Sequence, residues 1–382
     1  RAGGRTQAIE DAPVDVLNFS EVSAPETVRD ICHEKVPGWS LLPRESIRID
    51  QLCEGLSNQN FKVQVPIATG DGHIPQVLFR VFGKDVDTLY DSALETRIAN
   101  MLSNYYIGPR QYAAGKGWRI EEWHFSTPLP NRSMRNPSIF VQVAAHLGRL
   151  HKLSGRPDFP ADIAAMPPAC IGRLESWGAG CKTAAAALTH PDYKGVLEQL
   201  EIEEMLAERE WVKGFVQKED PKIRGSGMDV VFSHWDSQEN NVLQTHYGLR
   251  FIDFEYAGME HQAFDIASYF VECSIDYLVE KYPFYDVTMS NAPNEWEQRM
   301  FLSIYLSEYL NTTIRPDAFA VTVLLERVQR FQLMGHLLWA MWSVIRAPQA
   351  PTFGGFDYLH YARTRWFLYK YQKREMLHQQ RK

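Results

Sequence analysis

His234, Asp236 and Asn241 stand in the spacing H-x-D-x-x-x-x-N, within His234-Trp235-Asp236-Ser237-Gln238-Glu239-Asn240-Asn241. Asp253 follows an apolar run in Phe251-Ile252-Asp253-Phe254-Glu255-Tyr256. A carboxylate, an amide oxygen and a second carboxylate at two strand ends are what phosphoryl transfer asks of a protein. The γ-phosphoryl group moves in line between two oxygens, so little covalent work falls to side chains. What is required is a carboxylate to accept the proton of the attacking hydroxyl, and hard oxygen ligands that hold Mg²⁺ against the phosphates. Asp236 suits the first role, Asn241 and Asp253 the second. Ordinary residue frequencies would produce this loop spacing by chance in roughly two chains of this length per hundred. His234 reads as a residue that holds the loop. Glu255 is either a second metal ligand or a structural carboxylate.

A nucleotide grip is sought in the other half of the chain. Glu54-Gly55-Leu56-Ser57-Asn58-Gln59-Asn60 could fold over phosphates with its backbone N–H groups, although one glycine among small polar residues also describes an ordinary hairpin turn. Arg80 lies mid-strand in Val77-Leu78-Phe79-Arg80-Val81-Phe82, where a cation among apolar residues should face an anion. Glu95, on the next helix, is its expected partner, and an edge-strand Arg facing solvent is the alternative. Neither a Walker A motif nor G-x-G-x-x-G occurs, which argues against P-loop and Rossmann readings.

The elements that must carry these residues fall into two compositional halves. From Ser46 to Trp123 the pattern is mainly strands: Ile47 to Gln51, Asn60 to Val65, Gln76 to Phe82, Gln111 to Ala114 and Trp118 to Trp123, with a helix over Val86 to Tyr105. Residues 46–123 therefore predict a small α+β lobe with an antiparallel sheet. Residues 124–382 read as mainly helical, with helices around Val141 to Leu153, Leu197 to Phe215, Phe264 to Glu280, Glu295 to Asn311, Ala318 to Ile345 and Asp357 to Lys373. Asp229 to Ser233 and Leu249 to Phe254 read as buried strands leading into the two chemical segments. His146 and His151 read as structural, and residues 1–45 have no readable role.

Composition limits the partners. The 382 residues carry 40 Lys+Arg against 47 Asp+Glu, a formal charge of −7, with no long basic run, so nucleic acid is not an expected partner. An acidic chain that binds nucleotide needs local relief from backbone donors, a metal ion or an arginine. Cys32, Cys53, Cys170, Cys181 and Cys273 form no CxxC pair, which suggests neither a disulfide framework nor zinc and fits a reducing cytoplasm. The most apolar stretch, Phe331 to Ile345, is interrupted by Gln332, His336 and Ser343 and is shorter than the roughly 20 residues of a membrane span. Aromatic residues reach 12%, with 10 Trp and 17 Tyr, more than a plain core needs.

Together these segments resemble the choline/ethanolamine kinases, a branch of the protein-kinase-like and aminoglycoside phosphotransferase superfamily, from about Leu52 to Tyr369. The catalytic loop is similar to the family's His-Asn-Asp-x-Gln-Glu-Gly-Asn. Ile252 to Tyr256, Phe264-Asp265-Ile266, Glu272, Asp276-Tyr277, Leu338-Trp339-Ala340-Met341-Trp342-Ser343, Phe356-Asp357-Tyr358 and Tyr361-Ala362 match further segments. The resemblance implies a two-lobed kinase-like fold and ATP-dependent phosphorylation of choline to phosphocholine, on the route to phosphatidylcholine. Choline kinase is the nearer likeness, with ethanolamine kinase as the alternative. A catalytically weak aminoglycoside-kinase-like protein and a scaffold are the other readings.

By resemblance Asp236 is the base, and Asn241 and Asp253 hold Mg²⁺. Gln238, Arg80 and the segment Gly55, Leu56, Ser57, Asn58, Gln59 and Asn60 meet the ATP phosphates, while Glu122 belongs to the strand that meets adenine. Glu272, Tyr277, Trp339, Trp342 and Tyr361, with Asp236, would enclose the substrate. A trimethylammonium head donates no strong hydrogen bond, so ring faces and a nearby carboxylate suit it. Trp339 and Trp342, three apart on a helix, share a face. On the residues alone an aromatic helix reads first as core; the acidic partners and the family match favour a pocket. A homodimer is the assembly the resemblance implies. Trp235, Asn240 and Glu54 depart from the family pattern, and Arg132 or Arg135 is the candidate for an arginine expected after the adenine strand.

Overall fold

The computed structural model describes residues 24–52, 58–66, 74–82, 91–124, 126–217, 224–245, 248–349 and 355–379. The chain packs as two compact units, Arg1–Phe125 and Ser126–Lys382.

In the first unit, β1 (Arg48–Gln51), β2 (Asn58–Gln64), β3 (Gln76–Phe82), β4 (Gln111–Gly115) and β5 (Trp118–Glu122) form an antiparallel sheet in the order β1-β2-β3-β5-β4. Alternation along the strands sorts side chains to two faces. One face presents Phe61, Val63, Val77, Phe79, Val81, Trp118 and Ile120, which bury against Val28 and Cys32 of α1 (Pro25–Lys35) and against Trp39. Each such side chain contributes about 1.5–3 kcal/mol by leaving water. Register places Asn60, Arg80 and Arg119 opposite one another across three strands of the other face. β3 is the middle strand, so Arg80 is not on an edge; it is buried. α2 (Ser92–Asn104) starts at Asp91, whose side chain accepts from the Ala93 and Leu94 amides at 3.0 and 2.9 Å. The expected helix began earlier, at residues outside those described.

The second unit contains α3 (Pro137–Lys152), α4 (Ala169–Ala187), α5 (Ile202–Gln217), α6 (Gln262–Glu272), α7 (Glu295–Leu310), α8 (Phe319–Arg346) and α9 (Tyr358–Gln379). Short strands complete it: β6 (Ser126–Pro128) pairs with β8 (Val242–Thr245), which pairs with β9 (Gly248–Phe251). β7 (Val230–Ser233) pairs with β10 (Gly258–His261), and β11 (Ile275–Asp276) with β12 (Asp286–Val287). From Leu333 to Val344 α8 is buried on every side, as a helical stretch that is largely apolar all round must be. Among the described residues no helix is long and apolar enough to cross a membrane.

Two expected helices change and one is added. The one expected to reach Glu280 stops at Glu272, because the buried Asn131 amide donates to the carbonyls of Glu272 and Ile275 at 2.9 and 2.6 Å and turns the chain into β11. The stretch from Leu197 to Phe215 breaks at Glu201, which has φ 49° and accepts from Trp366 Nε1 at 3.1 Å. α4 was not expected; its glycines weaken the helical signal, and at Gly178 a Cβ would meet Arg209 Nη1 at 2.2 Å, so that side chain would have to shift.

Candidate active site

The loop from His234 to Asn241 joins β7 to β8 and is held from below by α6. Asp265, in the first turn of that helix, accepts the His234 amide at 2.8 Å on Oδ2 and the Trp235 amide at 2.7 Å on Oδ1. A carboxylate at a helix N-terminus is favoured by the dipole. It also receives His151 Nε2 at 3.0 Å, while Tyr305 donates to His151 Nδ1 at 2.7 Å. These bonds hold Trp235 at φ 77°, a left-handed conformation costly for a bulky side chain.

His234 does the work of a brace. Its Nε2–H donates to the Ile252 carbonyl at 3.0 Å and its Nδ1 accepts the Asp236 amide at 3.2 Å. The ring therefore ties the Asp236 loop to the residue before Asp253. Burial lowers its pKa and keeps the imidazole neutral in this arrangement.

Asn241 Nδ2 donates to the carbonyl and to Oδ2 of Asp236, at 2.8 and 2.9 Å. Its own carbonyl accepts the Ile252 amide at 3.0 Å, so Asp253, at φ 62°, comes directly beside it. Burial, reinforced by the charges of Glu272 and Asp253, holds the Asp236 carboxyl well above the usual carboxylate range. The donor set suits Mg²⁺: with its NH₂ spent on Asp236, Asn241 presents an amide oxygen, and Asp253 supplies a carboxylate. Gln238 Oε1 accepts the Asn240 amide at 3.0 Å and so caps the short turn Glu239–Asn241.

α6 ends on Glu272, where the dipole disfavours a carboxylate. A buried cation offsets this: Arg365 Nη1 donates to Glu272 Oε1 at 2.9 Å and to the Tyr361 hydroxyl at 3.1 Å. The Tyr361 and Tyr277 hydroxyls meet at 2.5 Å, and Tyr277 donates to Glu272 Oε2 at 2.8 Å. Phe356 continues the ring wall, 5.2 Å from Tyr361 and 5.1 Å from Tyr358. Tyr358 reaches Trp342 at 5.7 Å, and Trp342 meets Trp339 edge-on at 5.4 Å. Trp342 Nε1 donates to the Tyr256 hydroxyl at 2.9 Å.

Within the first unit, Arg119 pairs with Glu95 and Glu121, each at 2.6 Å, while Arg80 Nε lies 3.7 Å from Glu121. Glu95, the expected partner of Arg80, accepts a short bond from Arg119. Asn58, Gln59 and Asn60 are strand residues of β2 rather than part of a loop, because they pair with Phe82, Val81 and Arg80. Gly55, Leu56 and Ser57, with Glu54, lie outside the described residues. Glu122 closes β5, its Oε2 accepting the Arg110 amide at 3.2 Å. Arg135 is engaged by Glu297 at 2.8 Å and by the Ser290 carbonyl at 2.8 Å, whereas Arg132 is exposed.

Sequence reading passed over Asp265, Arg119 and Arg365 as site residues. The alternation in Trp118-Arg119-Ile120-Glu121 places Arg119 with Glu121 on the polar face, and the i,i+4 step from Tyr361 to Arg365 puts that cation beside the tyrosine. Nothing in the sequence marks the partner of Asp265, because its loop is 30 residues away.

A family model described as choline/ethanolamine kinase matches residues 49–370. The chain is similar to a choline/ethanolamine kinase of Mus musculus, at 26% identity over 356 residues, covering 90% of this chain and 85% of the mouse protein. Among solved structures it is similar to a choline kinase of Cryptosporidium parvum, with 31% identity, a TM-score of 0.81, and coverage of 93% of this chain and 97% of that one. An ethanolamine kinase of Plasmodium vivax shares the fold, with 19% identity, a TM-score of 0.71, and coverage of 91% and 89%. The fold is the α+β, protein-kinase-like one, with an antiparallel sheet in the first unit and a larger, mainly helical second unit.

Proposed function

The chain belongs to the choline/ethanolamine kinase family, and from that premise we propose that it transfers the γ-phosphoryl group of ATP to the hydroxyl of choline. The observation that carries the proposal is that Asp236, held by Asn241, lies near enough to Glu272 and Tyr361 to interact with their charges, while Tyr277 and Tyr361 bond around Glu272 and Trp339 meets Trp342.

Choline binds with its quaternary ammonium against the ring faces, beside the Glu272 carboxylate that Arg365 already pairs. The hydroxyl oxygen then attacks the γ-phosphorus, its proton passes to Asp236, and the bond to the β-phosphate oxygen breaks to release ADP. Asn241 keeps Asp236 aimed through two hydrogen bonds. Asn241 and Asp253 would hold Mg²⁺, which when bound neutralises charge on the phosphates. Gln238, Glu122, Arg80 and the segment ending at Asn60 are the nucleotide candidates. With a formal charge of −7, the chain needs such cationic relief to take a nucleotide.

The pocket favours choline over ethanolamine. Both oxygens of Glu272 already accept, one from Arg365 and one from Tyr277. Each carboxylate oxygen keeps a second acceptor site, so the preference rests on the ring faces, which suit a trimethylammonium head that donates no strong hydrogen bond. A cytoplasmic setting is supported by the buried free thiols of Cys32, Cys170, Cys181 and Cys273 among the described residues, and a homodimer by family membership.

The test is phosphorylation of choline and of ethanolamine by the purified chain with Mg-ATP, beside Asp236→Ala. Choline should give the higher kcat/KM, and the variant should lose at least on the order of 10²-fold. Wild-type turnover by Asp236→Ala would remove the base, and a preference for ethanolamine would reverse the substrate assignment.

A further inference from the structure

Arg173 lies on α4, far in sequence from every segment that carries the proposed chemistry, yet it touches two of them. Its guanidinium carbon sits 3.9 Å from the centroid of the Trp235 ring, a stacking distance for a cation over an indole face. Its Nη2 donates to the Tyr256 carbonyl at 2.9 Å. Trp235 immediately precedes Asp236, and Tyr256 follows Asp253 by three residues. Trp177, one turn along α4, adds a T-shaped contact to Trp235 at 6.4 Å and one to Tyr256 at 6.1 Å.

Trp235 needs such a hold. It is fully buried in a left-handed conformation, φ 77°, that a bulky side chain rarely adopts, and its indole Nε1 has no hydrogen-bond partner among the described residues. The backbone N–H is fixed by Asp265 and the carbonyl by Ser268 Oγ at 3.1 Å. The ring itself is held only by packing, between Phe264 at 4.1 Å and the Arg173 cation. Tyr256 in turn joins the indole wall, with its ring edge-on to Trp339 at 5.3 Å and its hydroxyl accepting from Trp342.

We propose that Arg173 is a positioning residue for phosphoryl transfer, clamping the loop that carries Asp236 to the turn that carries Asp253. The proposal rests on the functional reading above for its kinetic consequence, but the clamp itself is a statement about two loops and one side chain. A flat guanidinium can stack on an indole and donate in plane to a carbonyl at once, which an ammonium cannot do as well. Without it, the two segments keep their bonds at Ile252 and the Trp177 ring contacts but lose the one side chain on α4 that both stacks on Trp235 and hydrogen-bonds to Tyr256. A misplacement of the base or of a metal ligand by about 1 Å is enough to cost on the order of 10²-fold in rate.

The test uses the full chain and the variants Arg173→Met, which keeps the stem, Trp235→Leu, and the two combined. Amide hydrogen exchange reads the clamp without any substrate. In Arg173→Met, exchange should quicken at residues 234–241 and 252–256 together, while α9 keeps wild-type protection. Each single variant should lower kcat for choline by about 10- to 100-fold with the choline KM within about threefold, and the combined variant should fall no further than the worse single one. Unchanged exchange in both segments, uniform loosening of the whole unit, or rate losses that multiply would each overturn the clamp. Coupled loosening in a protein whose wild type does not phosphorylate choline would uphold the clamp and remove the substrate assignment instead.

Discussion

Glu272 and Arg365 form an ion pair at 2.9 Å with both side chains almost wholly withdrawn from water, 3% and 1% exposed. Each is the other's means of staying charged inside the unit. Removing one partner strands the other, which typically costs about 3–5 kcal/mol. Arg365→Met should therefore unfold at distinctly lower denaturant concentration, and Glu272→Gln in the same chain should restore part of the loss. Equal stability of Arg365→Met and the wild type would mean that the pair is not desolvated in solution.

The Asp236 carboxyl, raised by burial and then by Glu272 and Asp253, must lose its proton before it can act as base. Because the shift is upward, the active form appears only as pH rises above the ordinary carboxylate range. We expect kcat/KM for choline to fall on the acid side with its midpoint above that range. A profile flat down to the ordinary aspartate value would exclude Asp236 as the titrating base.

Trp339 and Trp342 should matter through the charge of the ammonium rather than through the nucleotide. A ring face is worth about 0.5–2 kcal/mol to a cation, so Trp339→Ala or Trp342→Ala should raise the choline KM by about 3- to 30-fold. The ATP KM should stay within twofold. Steady-state kinetics with each substrate varied in turn distinguishes this from a general loss, in which both constants would rise together.

His146, buried on α3 and stacked on Phe251 at 4.4 Å, is held neutral, with its pKa pushed down to about 3 by burial and then by the charges of Arg149 and Arg250. An unfolded chain takes up a proton there near pH 6.5, so stability is full above that value and declines as pH falls toward 3. At pH 5 the loss from this one residue is about 2 kcal/mol. His146→Phe, which keeps the stack, should show a shallower fall in Tm between pH 7 and pH 5. Parallel curves for variant and wild type would count against the buried neutral ring.

Much of the scaffold was legible because it is written in local patterns. Gln76 to Phe82, a short run rich in Val and Phe, is β3; Glu295 to Leu310 opens with Asn294 and Glu297, whose side chains and backbones exchange hydrogen bonds as a capping box. The spacing in the catalytic loop likewise singled out Asp236, Asn241 and Asp253 as a candidate set. Where local pattern misled, a distant residue had intervened. Asn131 ended the helix at Glu272 from 141 positions away, and Trp366 stood behind the break at Glu201 from 165.

The sequence by itself determined which residue types were available for chemistry, which strand and helix faces would be apolar, and that the balance of charge disfavours nucleic acid. These follow from composition and from periods of 2 and 3.6, which need no knowledge of the fold. Only the tertiary structure decided who holds whom: that Asp265 fixes the loop ahead of Asp236, that Arg365 rather than solvent neutralises Glu272, and that Arg173 spans Trp235 and Tyr256. Buried charges must find partners wherever packing brings them, and packing joins elements that the chain separates by dozens of residues.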